Sequence, residues 1–306
     1  MSEISVQNPA VRLKSIMDAK DRYPIPRGEV WIGSAFLKRA GLDDTLDNHF
    51  RLATQLGHDM VCLSVSEEPH DNRSLGYRYF EPRELGPALR ERTRFLVAVI
   101  DGPFQRMVNK KGMMDVLMNW IRDRESTLRA YVAEQKIVLN LIGHVLEKGV
   151  DGIVLADDLA GEQAPLINPL DLDKVCTPFY MQAVPFIRKA GVLVFLHCCG
   201  NLQQLLPLLK SWNLDGLAAI QIGKNDLGLL DTELGGLFLA GIDATLLDAN
   251  VPSPDEMEAL KRFVAQFAEQ KRLILCSNCG LYKADFLERV QHIYLELRSI
   301  SDDSYR

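Results

Sequence analysis

The sequence predicts an α/β fold, a single (β/α)8 TIM barrel with an N-terminal helical extension, on three observations. Eight short β-rich runs recur along the chain. Each is continuously apolar rather than alternating, as parallel strands covered on both faces require. Longer segments with helical periodicity separate them, giving strand and helix in turn.

Residues 1–28 read as a separate extension, one amphipathic helix followed by the proline-rich YPIPRG, and residues 29–306 as the barrel. The first strand is EVWIGSA (29–35) and the second MVCLSVS (60–66). Between them TLDNHFRLATQLG reads as a helix that ends at Gly57, a residue suited to the left-handed C-terminal position. The third strand is FLVAVID (95–101) and the fourth GIVLADD (152–158). The stretch 102–150 is longer than a standard crossover and should hold an extra helix or a lid. Its last part, STLRAYVAEQKIVLNLIGHVLEKG, closes at Gly149 with Lys148 in the final turn.

NPLDLDKVCTPFYMQAVPFIRKAG (168–191) carries Pro178 and Pro185 in its interior, which predicts a break or kink. LVFLHCC (193–199), GLAAIQI (216–222), LFLAGID (237–243) and RLILCSN (272–278) supply the last four strands. PDEMEALKRFVAQFAEQK opens with Pro254 and acids, as a helix N-terminus should. A doubly wound open sheet is the rival fold. A dinucleotide-binding version would need a glycine-rich turn after its first strand, and WIGSAFLKRAG has no GxGxxG.

The chain has 306 residues, 47% hydrophobic and 25% charged, enough for a large core. A net charge of −6 argues against a nucleic-acid partner. No signal-like N-terminus and no membrane-length apolar run are present, so a soluble, cytoplasmic protein is expected. Six cysteines do not make a disulfide scaffold. Cys62 and Cys176 sit in apolar periodic segments and read as small buried hydrophobes.

The chemistry of such a barrel collects at the C-terminal ends of its strands. Those ends carry Ser34, Ser66 with Glu67 and Glu68, Asp101, Asp157 with Asp158, His197 with Cys199, Gln221, Asp243, and Cys276 with Cys279. Most polar strand ends merely meet solvent, and a lone cysteine there is most simply inert. FLHCCGN differs, because residues two apart in a strand face the same way. His197 and Cys199 can therefore point together while Cys198 points away. A third ligand must come from elsewhere, and the last strand ends in CSNCG. Cys276 and Cys279 are both candidates. Cys279 is preferred because it lies beyond the strand, before Gly280, where a turn can swing its thiolate over the barrel mouth.

One imidazole and two thiolates suit zinc, and three protein ligands leave a fourth position open, as in catalytic sites. Two thiolates cancel the charge of Zn²⁺ and make it a weak activator of water. Such a metal is better fitted to bind a thiol, deprotonate it and keep it nucleophilic, which points to alkyl transfer to sulfur.

DGIVLADDLAGEQAPLINPLDL (151–172), GVLVFLHCCGN (191–201) and the GID…PSPDE stretch (241–256) resemble the uroporphyrinogen decarboxylase-like superfamily. Within it the sequence is most similar to the zinc-dependent corrinoid methyltransferases of the methylcobalamin:coenzyme M type, with HxCG at one strand end and Cys-Gly near the last strand. His197, Cys199 and Cys279 match, with Gly200 and Gly280 in place. The resemblance spans roughly residues 25–295 and is specific at HxCG.

It implies Zn²⁺ as cofactor and a corrinoid (methylcobalamin) as methyl donor or carrier. It also implies a corrinoid protein as partner and a small thiol or folate-type acceptor. A homodimer follows from the decarboxylase side of the superfamily. Decarboxylases proper carry RQAGR after the first-strand tryptophan, whereas IGSAFLKRAG follows Trp31 here and offers no matching clamp. Cobalamin-independent methionine synthases share the zinc clip and add a glutamate ligand where this chain has Gln221. A tetrapyrrole decarboxylase and a non-catalytic corrinoid- or metal-binding barrel stand as alternatives.

Asp157 and Asp158 are the candidate catalytic carboxylates, one expected to face the mouth and the other a helix N-terminus. Gln221 and Asp243 are candidates for binding a cofactor or substrate head group, or for orienting His197. Glu67 and Glu68 are candidates to cap an open metal position.

Overall fold

Seven of the eight apolar runs form strands of one parallel, curled sheet, and a short strand that the sequence reading missed supplies the eighth. The computed structural model describes residues 9–18, 25–68, 76–90, 94–248 and 252–303. Its strands are β1 (Met60–Val65), β2 (Tyr79–Phe80), β3 (Phe95–Asp101), β4 (Gly152–Ala156), β5 (Leu193–His197), β6 (Gly216–Ala218), β7 (Leu237–Ile242) and β8 (Leu273–Ser277). Their order is β2-β1-β3-β4-β5-β6-β7-β8. The fold is α/β and TIM-barrel-like.

The helices are α1 (Pro9–Asp18), α2 (Ser34–Arg39), α3 (Leu46–Leu56), α4 (Pro103–Lys111), α5 (Met113–Arg122), α6 (Arg124–Leu146), α7 (Pro169–Lys189), α8 (Leu206–Trp212), α9 (Leu227–Leu234), α10 (Ala244–Asp248), α11 (Pro254–Glu269) and α12 (Phe286–Asp303). None of them is long and apolar enough to cross a membrane among the described residues.

The expected first strand, 29–35, does not form a regular ladder. Its approach runs between β8 and β1: Gly28 N donates to Leu275 O (3.1 Å), Leu275 N to Pro26 O (2.8 Å) and Met60 N to Arg27 O (3.2 Å). Beyond that point Ser277 N, which a strand would pair with a backbone carbonyl, donates instead to the carboxylate of Glu29 (3.1 and 3.2 Å). The chain then turns into α2 at Ser34, leaving single bridges in place of a strand.

Of the predicted N-terminal extension, α1 is described, residues 1–8 and 19–24 lie outside the described residues, and Ile25–Gly28 are not helical. Leu13 of α1 packs into the inner apolar cluster.

Strand alternation sorts the core into two layers. Phe95, Val97 and Val99 of β3, Val154 and Ala156 of β4, Phe195 of β5 and Ile274 and Cys276 of β8 fill the inside of the curl. The alternate residues, such as Leu96, Ala98, Ile100, Leu155, Leu196 and Leu275, face the helices. Every strand is thus apolar on both faces, which explains the unbroken apolar runs.

Helix α7 corrects one expectation. It runs unbroken through Pro178 and Pro185. The two prolines are seven residues apart and share the exposed face, so the carbonyls of Lys174 and Met181 that they leave without an amide partner lie on the solvent side. The opposite face is held by Tyr180, stacked on Trp212 at 3.9 Å between ring centroids. The long 102–150 stretch is filled by α4, α5 and α6.

Candidate metal centre

The site begins with the register of β4, β5 and β6. Ala156 pairs with His197, and His197 with Ala218, so the ends of the three strands lie level. On β5 the period of two sends Phe195, His197 and Cys199 to one side. Cys198 goes to the other, where it is buried in the helix-facing core and accepts from Leu159 N at 3.2 Å. On β4 the same period sends Ala156 and Asp158 inward and Asp157 outward.

His197 is held tightly. Its Nδ1 lies 2.9 Å from the carbonyl oxygen of Ala218, which can only accept, so Nδ1 carries the proton. Its Nε2 faces Cys199 Sγ at 3.4 Å and Asp158 Oδ1 at 3.6 Å. Trp31 packs on the imidazole in an edge contact at 4.5 Å. Asp158 Oδ1 also accepts from Cys199 N at 2.8 Å. One donor atom from each of Asp158, His197 and Cys199 fits within a 4.8 Å group.

Cys279, the expected third ligand, is not part of that group, but it lines the same cavity, of about 170 Å³, with His197, Cys199, Asp158 and Trp31. Tyr77, Tyr79, Asp101, Gln105, Asn109, Ala156 and Asn278 complete its wall. Cys276, the alternative thiol, is fully buried in the inner core, 3.8 Å from Glu29, and does not line the cavity.

The donor set fits zinc. A tetrahedral centre with bonds of about 2.0 Å to nitrogen and 2.3 Å to sulfur places those two atoms about 3.5 Å apart, close to the separation found. A histidine whose other nitrogen donates to a carbonyl is the usual metal-ready form. The electrostatics agree. Burial pushes the Cys199 thiol up to about 12, helped by the charge and hydrogen bond of Asp158 and by Cys279. Burial pushes Cys279 up to about 12 as well, helped by Glu29, Asp248 and Asp243. Each thiol would gain negative charge beside carboxylates if it ionised, and a divalent cation at this place would offset that charge.

The other expected residues lie around this centre rather than in it. Asp157 is fully buried, accepts from Gln105 N (2.8 Å) in the first turn of α4 and from Tyr180 Oη (3.3 Å), and does not line the cavity. Burial raises its pKa to about 7. Gln221 Oε1 accepts from Gly200 N at 2.7 Å, holding the turn after Cys199. Asp243 accepts from Asn278 Nδ2 at 2.8 Å and from Thr245, holding the turn before Cys279. Neither is on the cavity wall, and His197 is oriented by Ala218 instead. Glu67 pairs with His144 at 2.5 Å, away from the cavity, and Asp158 takes the place beside His197 and Cys199 that Glu67 and Glu68 were expected to fill.

Tyr77, Tyr79, Gln105, Asn109 and Asn278 escaped the sequence reading. Tyr79 Oη donates to Asp101 (2.9 Å) and Asn109 Nδ2 does the same (2.9 Å), so the carboxylate of Asp101 is fixed in the wall. Glu29 was missed too. It is 1% exposed, and burial lifts it to about 7 despite hydrogen bonds from Ser277, Cys276 and Tyr294.

Residues 88–293, more than half of the chain, match the family model of uroporphyrinogen decarboxylase (URO-D). The chain belongs to that family. Among solved structures it is similar to a methyltransferase from Methanosarcina mazei, with a TM-score of 0.68, 16% identity and coverage of 98% of this chain and 99% of that one. It is also similar to a B12-independent methionine synthase from Shewanella sp. W3-18-1 in complex with selenomethionine. That match has a TM-score of 0.57, 14% identity and coverage of 92% and 95%. A D-tagatose 3-epimerase-like protein follows at TM-score 0.54, 13% identity and coverage of 90% and 98%. These likenesses show a shared fold. Among curated proteins no relative matches the chain at a significant level.

Proposed function

We propose that this chain is a zinc-dependent methyltransferase. It moves a methyl group between a corrinoid, either methylcobalamin or a corrinoid protein, and a thiol or similar small acceptor. The observation that carries the reading is that His197 and Cys199, whose donor atoms lie together with Asp158, share one cavity with Cys279 from a strand end some eighty residues away. Family membership supports it, as does the fold shared with a methyltransferase and a methionine synthase.

Zinc, when bound, supplies a soft cation that holds an acceptor thiol deprotonated at neutral pH. His197, Cys199 and Cys279 hold it, and Asp158 stands beside them as the carboxylate that can take the thiol proton. Trp31 and Tyr77 wall the cavity. Asp157 acts indirectly, by fixing α4 against β4. The reading takes residues 29–306 as one closed (β/α)8 catalytic barrel and 1–28 as a helical extension. A corrinoid protein would dock over the cavity mouth, and the chain would work in the cytoplasm as a homodimer.

A second reading, decarboxylation of a tetrapyrrole, follows from the family's own description. Among the described residues the cavity wall carries the carboxylates of Asp101 and Asp158 and no arginine or lysine. That is the reverse of what a polycarboxylate needs.

The test is zinc content together with methyl transfer from methylcobalamin to small thiols, followed by the corrinoid spectrum. About one zinc per chain, as three protein ligands of a catalytic site hold, is expected with thiol-dependent loss of methylcobalamin. Protein prepared without chelator that holds no zinc and demethylates no corrinoid would sink the proposal.

A further inference from the structure

Five consecutive residues form the turn that carries Cys279, and each is held from outside the turn or by its own hydroxyl. Ser277 is held by Glu29, and Asn278 by Asp243. The carbonyl of Cys279 accepts from Tyr77 Oη at 2.8 Å. Gly280 N donates to Ser277 Oγ at 3.0 Å, and Leu281 N to Trp31 O at 2.9 Å. Gly280 sits at φ +76, where an added Cβ would lie 2.5 Å from Tyr77 Oη and 2.8 Å from Trp31 Cβ. The turn is therefore a fitted part rather than a loose loop.

The root of this arrangement is Glu29. Its Oε2 accepts a hydrogen bond from the Ser277 hydroxyl at 2.6 Å, and its carboxylate accepts another from the Ser277 amide. With its proton committed to Glu29, Ser277 Oγ can offer a lone pair to Gly280 N. A chain of two hydrogen bonds thus runs from the buried carboxylate to the amide that follows Cys279. Glu29 lies in the inner core and does not line the cavity, so substrate does not reach it.

We propose that Glu29 is a positioning residue for the metal centre, acting through Ser277 to aim the Cys279 thiol at His197 and Cys199. The inference rests on the metal-centre reading above and adds a member to it that touches neither metal nor substrate. Removing a group that orients a ligand typically weakens metal binding 10- to 100-fold.

The experiment uses cobalt(II), whose thiolate-to-metal charge-transfer absorption reports on coordinated cysteines, where zinc is spectroscopically silent. Wild type, Glu29→Gln, Ser277→Ala and Cys279→Ala are titrated with cobalt(II), and each is melted without metal to check folding. Glu29→Gln and Ser277→Ala are expected to bind about 10- to 100-fold more weakly. The charge-transfer intensity of their bound metal should fall toward that of Cys279→Ala. A purely structural role would lower the melting temperature and leave that spectrum unchanged. Wild-type intensity in both variants, with affinity within about twofold, overturns the inference and leaves the metal-centre reading standing. A wild type that gives no thiolate band with cobalt overturns both. Should Glu29→Gln fail to fold, Ser277→Ala, which deletes one hydroxyl and no charge, decides alone.

Discussion

The sharpest stability prediction concerns Asp157. Its carboxyl is fully buried between α4 and Tyr180, and burial raises its pKa from the usual 3.8 to about 7. The folded protein therefore holds a proton that the unfolded chain releases, and stability falls as pH rises through this window. At about 1.4 kcal/mol per pH unit, the cost is about 1–2 kcal/mol by pH 5 and reaches about 4 kcal/mol above pH 7. Asp157→Asn keeps an oxygen for Gln105 N and carries no charge at any pH. Between pH 5 and pH 8 the stability of the variant should rise relative to wild type by about 2–3 kcal/mol. Urea denaturation of chelator-treated protein at those two pH values measures it, since a bound metal would alter the field at neighbouring Asp158. A difference between the two proteins that stays constant within about 0.5 kcal/mol would refute the reasoning. The α4 N-terminus would then be stabilising the carboxylate enough to cancel its desolvation.

The other predictions are local. Cys199→Ala and Cys279→Ala should lose bound zinc while Cys276→Ala keeps it, by metal analysis of purified protein, because only the first two thiols reach the cavity. Gly200→Ala should destabilise the protein by at least about 1–3 kcal/mol in a thermal melt, the strain of a left-handed non-glycine residue. Its φ is +89, and the new Cβ would lie 2.2 Å from Gly161 O, so collision adds to that strain. Trp212→Ala should cost about 3–5 kcal/mol in urea denaturation, as a fully buried indole stacked on Tyr180.

What the sequence revealed depends on how far a signal reaches along the chain. Strand alternation is local, so FLHCCGN alone told that His197 and Cys199 share a side and that Cys198 does not. The same rule applied to GIVLADD would have chosen Asp158 over Asp157, given Ala156 as inward. Glu29 could not be found this way. Its partner Ser277 is 248 residues distant, and nothing near Glu29 marks it as more than an acid opening a strand. That hidden contact is also why the expected first strand is irregular: the carboxylate takes an amide that a ladder would use. Tyr79 was missed because β2 has two residues, too few for any period to register, and Tyr77 because it sits in a single isolated bridge to Gly33. Pro178 and Pro185 misled because proline warns of a lost hydrogen bond without saying whether water lies on that side.

The proposed centre is unequally built, and the inequality follows from where its candidate ligands sit. His197 and Cys199 belong to one strand end, whose register with β4 and β6 fixes both at once. Cys279 comes from a turn beyond β8, and a turn has no ladder to locate it. A metal whose donors must meet within a few tenths of an ångström gains little from two well-placed ligands if the third wanders. The hydrogen bonds supplied by Glu29, Asp243, Tyr77 and Trp31 do for the turn what the sheet does for β5. The burial of a carboxylate in the inner core, unfavourable on its own, is explicable on the same ground. It costs stability at neutral pH and is offset by donors from the very segment that carries Cys279, the third proposed ligand.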